Sequence, residues 1–281
     1  MDLAEADPLQ HSIHAVIRFT RARVVIRLSP DSLSDSHLVR VAAALTEAGA
    51  PTVRLWTPEP ARAEGWSATA WHLLPPPPPE RFPAAALAEP LRRLHRCRLP
   101  IELPPWDLPG TIHAAVNRPL PPDWAPAALG LTTEDLRGRL AAICREIADE
   151  LAAGPTFGEL GVGTVHGDAH TGNLLRDPGR GAVLCDLDTV AWGPPEVDLV
   201  PAAHGVERFR RDPGDYGRLV EVYGFDVRDS PAWPALRRLR DLQLAVYPLA
   251  RPPAGDELAR RVRTVLDDDH DAVWARFGGY A

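Results

Sequence analysis

Residues 163–200 read GTVHGDAHTGNLLRDPGRGAVLCDLDTVAWGPPEVDLV. An apolar approach ends at Val165, and HGDAHTGN is a polar loop. Leu174–Leu175 and Ala182–Leu187 are strand-like, and Asp177-Pro-Gly-Arg-Gly181 joins them as a turn. The segment is therefore a loop followed by a hairpin whose returning strand ends in Asp186-Leu-Asp188. This arrangement brings Asp168 on the loop, Asn173 at its end and Asp186 on the strand close together.

Two carboxylates and a carboxamide so placed form the set that phosphoryl transfer from a nucleotide needs. One carboxylate orients an acceptor hydroxyl and accepts its proton. Oxygen ligands hold Mg²⁺ against the phosphates, and Mg²⁺ keeps several waters, so one Asp and one Asn from the protein suffice. Asp168 and Asn173 have the Asp-x₄-Asn spacing of a kinase catalytic loop. H-G-D alone is a weak signal. The loop, the hairpin and Asp-x-Asp in an apolar strand together are a strong one. A metal-dependent hydrolase built on His166, Asp168 and His170 ranks lower, because it leaves Asn173 unexplained.

Outward from this segment the chain changes character. HAVIRFT and RVVIRLS, around 21–23, read as a hairpin. A helix starts at Ser34–Asp35 and ends near Gly49. Short strands follow at 52–56 and 67–74, and then five prolines, 75–79, form a stiff run without backbone donors. Beyond it helical periodicity dominates, at 84–97, 133–153, 215–223, 233–250 and 256–277. The Pro-rich stretch 100–131 reads as irregular. The expected fold is α+β: a small-sheet N-terminal lobe with one helix over 1–74, a hinge at 75–79, and a larger, mainly helical C-terminal lobe over 80–281 that carries the loop and hairpin.

Composition excludes several classes. The 281 residues contain no lysine, so all 31 basic residues are arginine. A P-loop and Schiff-base chemistry both need lysine and are ruled out. Cys97, Cys144 and Cys185 have no metal-ligand spacing. A net charge of −7 argues against nucleic acid. No apolar run is long enough for a membrane span and Met1–Pro8 is unlike a signal peptide, so a cytoplasmic protein is expected. Oligomeric state cannot be read. The run Asp267-Asp-Asp-His-Asp271 reads as a solvated helical patch, since consecutive helix positions do not share a face.

VHGDAHTGNLL resembles the H-G-D-x₄-N loop of the aminoglycoside phosphotransferase family of small-molecule kinases, whose fold is protein-kinase-like. CDLD resembles that family's metal-binding strand, and WGPPEVDLV its G-x-P-x-x-D-L element, which places Asp198. VVIRLS resembles the third N-lobe strand, AWHLLP the hinge strand and LRRLHRC the helix after it. The resemblance implies Asp168 as catalytic base, His166 as support for the loop, and Asn173 and Asp186 as Mg²⁺ ligands. It implies Arg27, in place of the usual lysine, and the hinge residues His72 and Leu73 as nucleotide contacts. The donor would be ATP or GTP and the acceptor a small-molecule hydroxyl, with antibiotics, sugars and amino alcohols all in the class. Asp188 is open to a second metal contact, a cationic substrate group or a solvated strand end.

The sequence departs from the family in its first third. No glycine-rich loop precedes VVIRLS, and the first strand is expected to be missing, giving a truncated N-lobe. No acidic partner for Arg27 stands out: the helix offers Asp35 at its start and Glu47 near its end, with His37 or Leu38 where an acid is expected. These departures support the alternative of a catalytically weak kinase-fold binding or regulatory protein, which the intact HGD…N…D set opposes.

Overall fold

The computed structural model describes residues 6–11, 14–30, 35–76, 82–120, 129–153, 160–252 and 255–277. Its contacts divide it into two compact units, Met1–Pro105 with Gly163–Gly193, and Trp106–Val162 with Pro194–Ala281. This division follows contact rather than chain order, so residues 163–193 group with the sheet that precedes the proline run. Pro77–Pro79 of the expected hinge lie outside the described residues.

The first unit holds a five-stranded antiparallel sheet in the order β1-β2-β3-β5-β4. Its strands are β1 Ala6–His11, β2 Ala15–Phe19, β3 Val24–Pro30, β4 Ala61–Ala63 and β5 Trp66–His72. The first strand, expected to be missing, is therefore present, and the N-lobe is not truncated in that sense. Its sequence, ADPLQH, hides it: Pro8 cannot donate to a ladder, and a proline is tolerated because β1 is an edge strand with a register irregularity between Pro8 and Gln10. Arg18 on β2 pairs with Asp7 and helps to hold it.

Helix α1, Asp35–Glu47, buries Leu38, Val41, Ala42 and Leu45, one apolar stripe at helical spacing. It contacts β5 and the 3₁₀ turn Leu187–Thr189. The expected strand at 52–56 is divided between two partners. Val53 N–H donates to Leu184 O at 2.9 Å, while Trp56 N–H donates to Ala70 O at 2.8 Å. Neither pairing is long enough to make a strand, but together they tie the sheet to the hairpin. That hairpin is β7, Leu174–Asp177, with β8, Gly181–Leu184; β6, Gly163–Val165, pairs with β9, Ala191–Gly193. A 3₁₀ turn, Ala84–Leu87, leads into α2, Ala88–His95, whose fully buried Leu91 and Leu94 face the core beside β6 and β8.

The second unit is helical: α3 Leu108–Val116, α4 Thr133–Ala153, α5 Glu196–Phe209, α6 Pro213–Tyr223, α7 Trp233–Val246 and α8 Glu257–Asp267. Ile112, Leu140, Ile147, Leu242 and Val262 meet in its core. Two helices correct the expectations. α3 lies in the stretch read as irregular; Asp107 caps it, accepting from Gly110 N–H at 2.8 Å, and Pro109 sits in its first turn. α8 stops at Asp267 with Asp268 left-handed, so residues 268–271 lie beyond the helix rather than on it. Together the sheet-bearing and helical parts give the α+β class expected. Among the described residues, no helix is long and apolar enough to cross a membrane.

A buried polar cluster joins α5, α7 and the segment after α8. Asp241 accepts from His204 Nε2 at 2.8 Å and from Arg208 at 2.9 and 2.6 Å; Arg208 also donates to the carbonyls of His270 and Ala272. Burial pushes the Asp241 carboxyl up, but the hydrogen bonds from His204 and Arg208 outweigh it and hold it below the usual carboxylate range. Burial also pushes His204 down from 6.5 to about 4, against the pull of Asp241. The fold therefore holds His204 neutral, and the unfolded chain takes up its proton first as pH falls. Stability from this residue is complete above about pH 6.5 and is lost towards pH 4, by on the order of 3 kcal/mol. Urea unfolding between pH 7 and 4 should show that loss, and His204→Gln, which donates to Asp241 but does not titrate, should lack it.

Candidate active site

The loop 166–173 is fixed from beneath by His166, which is fully buried. The Asp168 backbone N–H donates to its Nδ1 at 3.4 Å, so Nε2 carries the hydrogen and donates to the Cys185 carbonyl at 2.9 Å. One imidazole thus sets the position of Asp168 relative to the strand end that carries Asp186. Gly167 is required between them. Its φ is +85°, and a Cβ there would stand 2.3 Å from the Thr189 carbonyl. Thr189 closes the contact by donating from Oγ1 to the His166 carbonyl at 2.8 Å.

Asn173 ends the loop and is mostly buried. Its Nδ2 donates to the Asp168 carbonyl at 3.0 Å, which leaves Oδ1 as the atom available to a cation. Its backbone carbonyl accepts from Cys185 N–H at 2.9 Å, so it sits next to the strand end as well. Asp186 follows in a left-handed conformation, φ 62° and ψ 66°. A non-glycine residue rarely adopts it, and here it turns the chain sharply from β8 into the 3₁₀ turn. The sequence expectation that the hairpin returns Asp186 to the loop matches this arrangement. Cys185 carries a thiol pushed up to about 12 by burial and then by Asp186, so it stays protonated and acts as a small packing residue.

His170 caps the 3₁₀ turn Thr171–Asn173. Gly172 N–H donates to its Nδ1 at 3.1 Å, and its Nε2 stands 3.7 Å from Asp168 Oδ2. Three of the four ring nitrogens of His166 and His170 are thus engaged by backbone groups. A His166–Asp168–His170 metal cluster is not formed, and no group of three or more His, Cys, Asp or Glu side chains suited to a metal occurs among the described residues.

Arg27 comes from β3. NH2 donates to Asp188 Oδ1 and Oδ2 at 2.9 and 2.8 Å, and NH1 to Asp35 Oδ1 at 3.2 Å. The acidic partner of Arg27 on this helix is Asp35, 2% exposed at the start of α1, where the sequence offers it, rather than Glu47 or a residue at 37 or 38. Asp188 keeps 36% of its side chain exposed and pairs with Arg27. Burial pushes its carboxyl up, Arg27 pulls it down, and Asp186 pushes it up again, to about 6. Two adjoining carboxyls and the Asn173 carboxamide make an all-oxygen set. It suits a hard divalent cation such as Mg²⁺, which would relieve the repulsion between the two acids.

The two hinge residues are less open than expected. His72 N–H donates to Arg54 O at 3.0 Å and Leu73 N–H to Arg23 O at 2.9 Å, so both amides serve the sheet. The His72 ring meets Trp56 edge-on at 4.9 Å. Asp198 is fully buried in the first turn of α5.

The profile of the phosphotransferase enzyme family matches residues 14–242. Among curated protein sequences none matches. Solved structures share the fold. The aminoglycoside phosphotransferase APH(3'')-Id from Streptomyces rimosus is 20% identical with a TM-score of 0.60, covering 85% of this chain and 93% of that one. Amicoumacin kinase hAmiN, in complex with AMP-PNP, Ca²⁺ and Ami, is 12% identical with a TM-score of 0.69, over 98% and 91%. A choline/ethanolamine kinase family protein from Mesorhizobium loti is 15% identical with a TM-score of 0.60, over 94% and 86%.

The closeness of Gly167 to Thr189 gives a direct test. Gly167→Ala places a methyl group against a backbone carbonyl at positive φ, and should destabilise the chain by roughly 2 kcal/mol or more. Chemical denaturation of the two proteins measures this, and equal midpoints would refute the packing described.

Proposed function

This chain belongs to the phosphotransferase enzyme family and is a small-molecule kinase, and from that premise we propose that it moves the γ-phosphate of ATP or GTP to a hydroxyl of a small molecule with Asp168 as general base. The observation that carries the reading is the His166 bridge, which sets Asp168, Asn173 and Asp186 in one place. In this reading His166 acts through the loop and is a positioning residue, since it is fully buried and both ring nitrogens are taken.

Asn173 Oδ1 and the Asp186 carboxylate would hold Mg²⁺, with Asp188 beside them. The cation, when bound, neutralises charge on the phosphates and orients them. This chain's own residues do the rest. Asp168 orients the acceptor hydroxyl and receives its proton as the bond to phosphorus forms. His170, 3.7 Å from Asp168 Oδ2, borders the place where that proton arrives. Arg27 supplies a guanidinium that can meet a phosphate oxygen by charge-assisted hydrogen bonds. The His72–Leu73 strand end would reach the base through carbonyl or side-chain groups, because both amides are already bonded.

The complex of hAmiN with AMP-PNP and Ca²⁺ supports a nucleotide donor and a divalent cation here. Relatives whose structures hold streptomycin or spectinomycin support an antibiotic as one candidate acceptor, and choline and ethanolamine kinases support an amino alcohol as another. Asp168→Asn keeps the shape of the side chain and removes its basicity. It should lower transfer by about 10²–10⁴-fold without shifting the melting temperature. Nucleotide-dependent phosphate incorporation across a panel of hydroxylated antibiotics and amino alcohols measures the first, and thermal denaturation the second. Transfer by the variant at the wild-type rate would overturn the mechanism.

A further inference from the structure

The connection between β1 and β2 is only Ser12-Ile13-His14, with no glycine. A glycine-rich loop binds phosphate through backbone N–H groups that glycine's freedom lets converge. Three residues without glycine, one of them β-branched, are poorly suited to that task. The sheet register offers a side chain instead. Ala15 pairs with Leu28 and Val16 with Arg27, so continuing the ladder puts His14 opposite Ser29, on the face that Arg27 occupies. The contacts agree. Arg27 NH2 donates to His14 Nε2 at 2.6 Å, and His14 Nδ1 lies 3.1 Å from Oγ of the fully buried Ser29. Because the guanidinium can only donate, Nε2 must be unprotonated, and Nδ1–H donates to Ser29. Burial first and Arg27 second push the His14 pKa below 6.5, despite Asp186 and Asp35, which favours that neutral form.

We propose that His14 is a positioning residue for Arg27: it engages the guanidinium at NH2, the nitrogen that also meets Asp188, and holds it in the orientation in which it meets a nucleotide phosphate. The geometry supplies the reason. NH2 is shared between the Asp188 carboxylate and the imidazole, so the arginine is drawn both ways rather than lying wholly on the acid. The His14–Ser29 pair thereby stands in for part of the missing loop. This inference rests on the reading of Arg27 as a phosphate contact.

Calorimetric titration of the full chain with MgATP and with MgGTP tests it. His14→Ala should weaken nucleotide binding about tenfold, the worth of a hydrogen bond to a charged group. His14→Gln, whose Oε1 can accept from Arg27, should regain most of that loss. His14→Ala added to Arg27→Ala should weaken binding no further, since the imidazole then has nothing to position. If His14→Ala does not fold, Ser29→Ala carries the test, because it releases the ring while leaving it in place, and weaker binding is expected again. Wild-type affinity in His14→Ala, or in Ser29→Ala where that variant replaces it, overturns the proposal. So does a further tenfold loss in the double variant, which would mark a packing role. A wild-type chain that binds neither nucleotide overturns the reading of Arg27 as well, and is thereby distinguishable from failure of the inference alone.

Discussion

A single buried imidazole sets the geometry on which the site depends. His166 has no exposure, so each ring nitrogen must find a partner within the protein or leave a buried polar group unsatisfied. It finds an amide on the loop and a carbonyl on the strand end. The two segments lie 17 residues or more apart in sequence, yet slippage of one against the other would break a bond at the ring. Gly167 makes the same demand by a different route, since Thr189 approaches too closely for any side chain. A polar constraint and a steric one therefore agree on one register. That agreement is what lets Asp168, Asn173 and Asp186 share a place.

Charge around Arg27 is the second constraint. Asp35 and Asp188 pair with one guanidinium, Asp186 adjoins Asp188, and the surplus is negative. Burial first, and then the neighbouring Asp186, raise the Asp188 carboxyl to about 6 despite its pairing with Arg27. A site built for stability alone would have balanced these charges or replaced them with apolar groups. Residues held away from their comfortable ionisation state tend to gather where a ligand completes the balance. In the proposed reaction the ligand set has both signs: a cation for the acids and phosphate for the arginine.

Legibility followed the range of the interactions involved. The loop, the hairpin and the β2–β3 pair are readable because turn residues and alternation are local signals, and Asp168, Asn173 and Asp186 lie on the first two. α4 was readable for the same reason, as one uninterrupted period of 21 residues. β1 was not, because an edge strand tolerates a proline and shows no alternation. α5 was not, because it is buried on nearly every face and carries Pro201, so no polar stripe marks its period. α3 was masked by the prolines around it, although Asp107 and Pro109 form a helix start. Asp35 and His14 depend on register and helix placement, which become visible only when three strands and a helix are assembled.

Arginine in the place of lysine changes how that corner can work. A lysine ammonium is a compact point charge that can swing between partners on a flexible stem. The Arg27 guanidinium is planar and reaches Asp35, Asp188 and His14 at once through two nitrogens. Its position is therefore set by three side chains from three different elements, α1, the turn after β8 and the start of β2. In the proposed reaction, phosphate approaching this group would compete with Asp188 for donors already aimed. The absence of lysine from the whole chain, a feature of composition, thus bears on how firmly this corner of the proposed site is held.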